Sequence, residues 1–159
     1  MLKGIPKVIS PELMKIMMEM GHGDELVLGD GNFPAVSCAQ RIVRADGLDI
    51  PVLLDAILQF FPLDSYYPSD SFYPPDSDVK SPVALMEVVP GDTARPTIWE
   101  EYRRIVAKHN SPAANFECVE RFAFYERAKK AFAIVATGEE ELYANVIVRK
   151  GVVEDEREK

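Results

Sequence analysis

The apolar run Ala131–Thr137, AFAIVAT, constrains the fold of this chain more than any other feature. A continuous apolar stretch of this length is typical of a strand covered on both faces, because a half-exposed strand alternates apolar and polar residues. Glu25–Gly29, ELVLG, is a second run of this kind. Helical patterns separate the extended segments along the chain. This alternation predicts an α/β fold, a single three-layer αβα domain with helices on both faces of a mixed, mostly covered sheet.

Apolar residues that recur at helical spacing predict the helices, and apolar runs between turn signals predict the strands. The predicted helices are Pro11–Met20, Ile50–Phe61, Ile98–His109 and Ala123–Lys130. The predicted extended segments are Glu25–Gly29, Gln40–Arg44, Val83–Val89, Glu117–Phe122, Ala131–Thr137 and Tyr143–Arg149.

The segment Ser65–Pro82 differs from the rest of the chain because Pro, Ser, Asp and Tyr dominate it. This composition predicts a long loop without regular structure, which is a lid, a subunit contact, plain disorder or a tolerated surface insertion. Residues 154–159 are almost all charged and are predicted to fray. Residues 1–153 are therefore interpreted as one domain with an inserted loop at about 65–82, followed by a charged tail.

Charge and motif content exclude several classes of function. The 159 residues carry a net charge of −8 and no basic patch, which argues against nucleic acid and anionic membranes as partners. No apolar run reaches the roughly 20 residues that span a bilayer, and we expect a cytoplasmic protein. Cys38 and Cys118 lack metal-site or disulfide spacing. The phosphate-loop, HExxH and GxSxG motifs are absent from the sequence.

The stretch Met20–Pro34, MGHGDELVLGDGNFP, places a histidine before a short strand and an aspartate after it. Histidine titrates near neutral pH, so His22 is a candidate general acid and base. His22 and Asp30 are separated by a strand of roughly 17 Å. They can share a pocket only if the loops curl back or a second subunit joins them. A plain loop histidine and a turn-forming aspartate are the alternatives, and His109 is predicted to be an exposed helix-end residue.

Long motifs in order along the chain resemble the fucose mutarotase and ribose pyranase family, closer to the fucose mutarotase branch. They are LKGIPKVISPELMKIMMEMGHGDELVLGDGNFPA, RADGLDIPVLLDAIL, FPLDSY, RFAFYERAKKAFAIVATGE and YANVIVRKG. The resemblance covers nearly the whole chain apart from the insertion and the tail. It implies an α/β subunit assembled into a homo-oligomeric ring, typically a decamer of two stacked pentamers. It also implies an isomerase that acts on a free reducing sugar without cofactor or metal.

The resemblance also implies roles for individual residues. His22 matches the catalytic histidine and Tyr125 the tyrosine that shares the proton transfers. The implied substrate-binding residues are Asp30, Asp64, Met86, Arg121, Tyr143, Ala144 and Asn145. The insertion lies between Asp64 and Met86, which makes these two the least constrained assignments.

Three functions are consistent with these residues. The first is a mutarotase that interconverts the α and β anomers of L-fucose or a related aldose. The second is a D-ribose pyranase, which Arg121 disfavours because the ribose branch tends to carry histidine at that position. The third is a sugar-binding ring protein without turnover.

Overall fold

A computed structural model of the protein describes residues 2–65, 81–109 and 116–153. The helices are α1 (Pro11–Glu19), α2 (Ala35–Cys38), α3 (Ile50–Ile57), α4 (Ile98–His109) and α5 (Arg121–Lys130). The strands are β1 (Glu25–Gly29), β2 (Ile42–Ala45), β3 (Val83–Met86), β4 (Phe116–Val119), β5 (Ala133–Thr137) and β6 (Val146–Arg149).

The strands form one six-stranded mixed sheet in the order β2-β5-β1-β6-β3-β4. β6 runs antiparallel to both of its neighbours, β1 and β3, and the other pairs are parallel. As a result, the carboxyl ends of five strands and the amino end of β6 meet at one end of the sheet. We call this the Asp30 end, because Asp30 follows β1 there, and we call the opposite end the His22 end.

The hydrophobic core lies on both faces of the sheet, which confirms the predicted α/β fold with a covered mixed sheet. Leu26 and Leu28 of β1 pack on one face with buried residues of α1, α3 and α4. Val27, between them, packs on the other face with buried residues of α2 and α5. All five residues of β1 and all five of β5 are buried. The burial of their apolar residues follows the prediction, whereas the burial of Glu25 does not come from an apolar run.

The structure corrects several predicted boundaries. Glu117–Phe122 is not extended throughout, because α5 begins at Arg121. The carboxylate of Glu120 accepts hydrogen bonds from the N–H groups of Phe122 and Ala123, and this cap fixes the start of the helix. The four-residue helix α2 was not predicted, since so short a segment has no period to detect. The predicted strands Val83–Val89, Ala131–Thr137 and Tyr143–Arg149 are shorter than expected, and α3 ends at Ile57 rather than Phe61.

Two predictions lie wholly or mostly outside the described residues. They concern the insertion, of which residues 66–80 are not described, and the tail at 154–159. Within the described ranges, none of the helices combines the length and the apolar character needed to cross a membrane.

Candidate active site

His22 lies in the loop between α1 and β1, next to the end of β6. The N–H of Gly23 donates to the carbonyl of Lys150 at 2.8 Å, with Gly23 in the left-handed region at φ +85°. His22 Nε2 is 3.4 Å from Asp64 Oδ1. The imidazole is 32% exposed and the carboxylate is fully buried. The histidine therefore presents one side to solvent and has a buried acidic group behind it, an arrangement suited to proton exchange.

A series of buried charges extends from Asp64 into the protein. Arg149 Nε is 3.4 Å from Asp64 Oδ2, and Arg149 Nη1 is 3.4 Å from Glu25 Oε1. Arg127 of α5 completes the series, since its guanidinium contacts Glu25 at 2.7 Å and Glu117 at 2.6 Å. Buried charges are tolerated when oppositely charged groups and hydrogen bonds surround them. The alternation of acid and base thus holds the carboxylate beside His22 in place.

At the Asp30 end, a hydrogen bond joins Asp30 and Asn145. The N–H of Asp30 donates to Asn145 Oδ1 at 2.8 Å, and the N–H of Asn32 donates to Asp30 Oδ1 at 2.9 Å. Asn145 Nδ2 lies 3.9 Å from the sulfur of Met86, which ends β3. Burial raises the pKa of Asp30, and the hydrogen bonds that its carboxylate accepts oppose this effect. The structure therefore brings Asp30, Met86 and Asn145 together.

Tyr143 and Arg121 lie near this group. Tyr143 has a positive φ of 61°, and its hydroxyl donates to Asp92 Oδ2 at 2.6 Å. The hydrogen bond to Asp92 raises the pKa of Tyr143, and the positive charge of Arg121 opposes the increase. Arg121 Nε is buried and has no hydrogen-bond partner among the residues that the structure describes. A buried donor of this kind is suited to a ligand oxygen.

The two remaining predicted residues, Tyr125 and Ala144, differ in how deeply they are buried. Tyr125 is half-buried on α5, and its ring packs against Phe33 with centroids 5.7 Å apart. Phe33 belongs to the turn after β1, where its N–H donates to the carbonyl of Asp30 at 3.0 Å. Ala144 is fully buried, so any contribution to a ligand site would come through its backbone alone.

The predicted residues thus form two groups rather than one. Asp30, Met86, Tyr143, Ala144 and Asn145 lie together at the Asp30 end, and Arg121 and Tyr125 follow on α5. His22 and Asp64 lie at the other end of β1, which has five residues. A strand of that length spans roughly 17 Å, so His22 and Asp30 of one copy lie too far apart to contact the same small ligand.

His109 differs from the prediction. Its side chain is 13% exposed rather than largely exposed, and its Nε2 lies 2.7 Å from Asp55 Oδ1. This contact ties the end of α4 to α3, so His109 has a structural partner away from both groups. Within the described ranges, no cluster of three or more His, Cys, Asp or Glu could hold a metal ion.

The sequence matches the RbsD / FucU transport protein family over residues 3–153.

The chain belongs to the RbsD / FucU family.

Two named relatives and one solved structure are similar to this chain over most of its length. The fucose mutarotase of Homo sapiens is 50% identical over 158 residues, which cover 96% of this chain and 94% of that protein. The L-fucose mutarotase of Actinobacillus pleuropneumoniae serotype 5b (strain L20) is 48% identical over 152 residues, which cover 96% and 97%. The fucose mutarotase from Streptococcus pneumoniae, solved in complex with L-fucose, superimposes with a TM-score of 0.85 at 51% identity, covering 96% of this chain and all of that one.

Several residues near the two groups were not identified from the sequence. Arg149 contacts both Asp64 and Glu25, and the available signal was a pair of opposite charges, Glu25 and Arg149, at one end of the β1–β6 pair. Trp99 and Tyr102 of α4 contact the backbone of Tyr143 and Ala144. No local pattern points to these last contacts, because they depend on how α4 packs against a distant loop.

Proposed function

We propose that this protein is an L-fucose mutarotase, an isomerase that interconverts the α and β anomers of the free sugar. The observation that carries this proposal is its 51% identity, over 96% of the chain, to the fucose mutarotase solved with L-fucose. The polar groups at the two ends of β1 are of the kinds that such a reaction requires. The proposal covers substrate, reaction and site residues together.

The reaction consists of proton transfers and one bond rotation. One group removes the proton from the anomeric hydroxyl and another delivers a proton to the ring oxygen, so the ring opens to the aldehyde. The aldehyde rotates about its bond to C2, the ring oxygen attacks the other face, and both protons return. We assign the two transfers to His22 and Tyr125, whose roles exchange in the reverse direction. Proton transfer alone completes this cycle, so we propose that no cofactor takes part.

The remaining residues would hold the sugar. Asp30, Arg121 and Asn145 supply hydrogen-bonding groups for hydroxyls. Tyr143 offers an aromatic face with Met86 as an apolar neighbour, and Ala144 takes part through its backbone. Asp64 lies 3.4 Å from His22, which supports a role in orienting the imidazole in addition to any contact with the sugar.

The separation of the two groups supports a site shared between subunits. We propose that His22 and Asp64 of one copy face the Asp30 end of its neighbour in a closed ring. Cyclic assemblies repeat one such contact at every interface, so each ring would contain as many sites as subunits. The proposed assembly is a decamer of two stacked rings. We place it in the cytoplasm, where free thiols such as those of Cys38 and Cys118 remain reduced.

Saturation-transfer NMR between the α and β anomeric protons of L-fucose tests the function directly. We expect the exchange rate to rise in proportion to protein concentration above the spontaneous rate. D-ribose, measured in the same way for pyranose–furanose exchange, serves as the competing substrate. Acceleration with D-ribose alone would indicate a ribose pyranase. Binding of fucose without acceleration of either exchange would indicate a sugar-binding protein and would contradict the proposal.

A further inference from the structure

We propose that Trp99 and Tyr102 are positioning residues, which act through the backbone of Tyr143 and Ala144 to set the geometry of the sugar-binding segment Tyr143–Asn145. This inference rests on the proposed function, because it takes that segment to contact the substrate. Neither residue is assigned a contact with the sugar.

Two hydrogen bonds join α4 to this segment. Trp99 Nε1 donates to the carbonyl of Tyr143 at 2.9 Å, and the hydroxyl of Tyr102 donates to the carbonyl of Ala144 at 2.7 Å. Tyr102 is fully buried, and Trp99 is partly buried. A buried hydroxyl and an indole N–H each require a partner, and here both partners are consecutive carbonyls of one loop. The contacts fix the direction of two successive peptide groups.

The backbone of Tyr143 requires such support. Among the described residues, Tyr143 is the only non-glycine residue with a positive φ, at 61°. An aromatic residue in the left-handed region is strained unless its surroundings enforce that conformation. The carbonyl held by Trp99 belongs to this same residue. Its release would allow the ring of Tyr143 to leave the position that its φ imposes.

A third contact attaches the loop to the same helix. The carboxylate of Glu141 accepts hydrogen bonds from the N–H groups of Thr97 and Ile98, at 2.5 and 3.1 Å, and so caps the start of α4. On the other side, Asn145 accepts the N–H of Asp30 at 2.8 Å. The segment is therefore anchored before and after Tyr143. The first turns of α4 determine where the Tyr143 ring and the Asn145 amide lie relative to Asp30.

Removal of single donor groups tests the inference. Tyr102→Phe deletes only the hydroxyl, and Trp99→Phe keeps an aromatic ring but replaces the indole with a smaller ring that has no N–H. We expect each variant to raise KM for L-fucose roughly 3- to 10-fold with a smaller change in kcat, because displaced contacts weaken sugar binding while His22 and Tyr125 remain intact. The double variant should have a higher KM for L-fucose than either single variant.

Val106→Ala is the matched control for lost stability. Val106 lies further along α4, is 2% exposed and belongs to the core. It should lower thermal stability and leave KM within twofold of the wild type. If Tyr102→Phe fails to fold, Trp99→Phe alone tests the proposal, since Trp99 is less buried.

A second readout does not depend on activity. The pKa of Tyr143 is followed by NMR of ring-labelled tyrosine, through the ¹³Cζ shift, in the wild type and both variants. The hydrogen bond to Asp92 raises this pKa, so a displaced Tyr143 should titrate closer to the ordinary value of about 10. An unchanged Tyr143 titration in both variants would overturn the inference, as would an unchanged KM in an active enzyme. A wild type without fucose exchange would refute the proposed function, and the titration would still decide the positioning role.

Discussion

At the His22 end of β1 the buried charged groups pair with one another, whereas at the Asp30 end the buried carboxylate of Asp30 accepts a hydrogen bond from a backbone N–H and has no ion pair among the residues that the structure describes. Asp64, Arg149, Glu25 and Arg127 form consecutive ion pairs behind His22. Around Asp30, the contacts are instead the Asn145 amide, the backbone and the sulfur of Met86. One strand thus connects two sites whose polar groups are held in different ways.

We infer from this difference that the two ends of β1 have different roles. A rigid network of ion pairs can hold a proton-transfer group in one orientation, while hydrogen-bonding groups outside such a network can exchange water for sugar hydroxyls at lower cost in desolvation. We therefore expect substitutions at the His22 end to change the rate of proton transfer or the stability of the fold. Substitutions at the Asp30 end should change sugar binding.

The largest expected effect is that of His22→Ala. Loss of one of two acid–base groups should reduce kcat/KM for fucose anomer exchange by about 10²- to 10⁴-fold, without loss of the folded state. His109→Ala is the control, because His109 contacts Asp55 between α3 and α4 and should retain activity within twofold. Saturation-transfer NMR measures both. A decrease of less than tenfold for His22→Ala would remove His22 from the proton transfers.

The charged network should contribute more to stability than surface pairs do. Arg127→Met removes the cation that contacts Glu25 and Glu117, and its side chain is only 14% exposed. We expect the free energy of unfolding to fall by about 3 kcal/mol, because carboxylates are left in a buried site without this charge. Urea denaturation provides the measurement.

The control for that network lies on the same helix. Lys129→Met breaks the exposed pair between Lys129 and Glu126, and solvent-exposed pairs add little to stability. If Arg127→Met and Lys129→Met lower the free energy of unfolding equally, the buried network stabilises the fold no more than an exposed pair does.

The smallest effect should be a pH dependence at the Asp30 end. Burial raises the pKa of Asp30, so the folded state binds this proton more tightly than the unfolded chain. The stabilising contribution is present below the ordinary pKa of 3.8 and is lost as pH rises through the folded-state pKa. Asp30→Asn does not titrate and keeps the oxygen that accepts the Asn32 N–H.

We therefore expect the stability of the wild type, relative to Asp30→Asn, to decrease between about pH 3.8 and neutrality. Urea denaturation of both proteins across this range gives the difference. A difference that is constant or rises with pH would show that burial does not govern this carboxyl group.

The sequence predicted the central strands and most helices because their apolar patterns are long enough to detect. Ala131–Thr137 and Glu25–Gly29 correspond to β5 and β1, and the length of β1 already indicated that His22 and Asp30 lie apart. The contacts of Arg149 with Asp64 could not be predicted, since they depend on pairing between distant strands. The positive φ of Tyr143 was also missed, because the contact with α4 that supports it joins residues far apart in the sequence.

Subunit complementation tests the central claim, that two separated groups form one active site between neighbouring copies. His22→Ala and Tyr125→Phe chains are mixed in equal amounts, unfolded, refolded together and assayed for fucose exchange. Random assembly into rings should restore about a quarter of the wild-type rate, because one site in four then receives both intact residues. Each variant refolded alone should stay inactive. Absence of recovery in mixed assemblies that have formed normally would contradict the shared site.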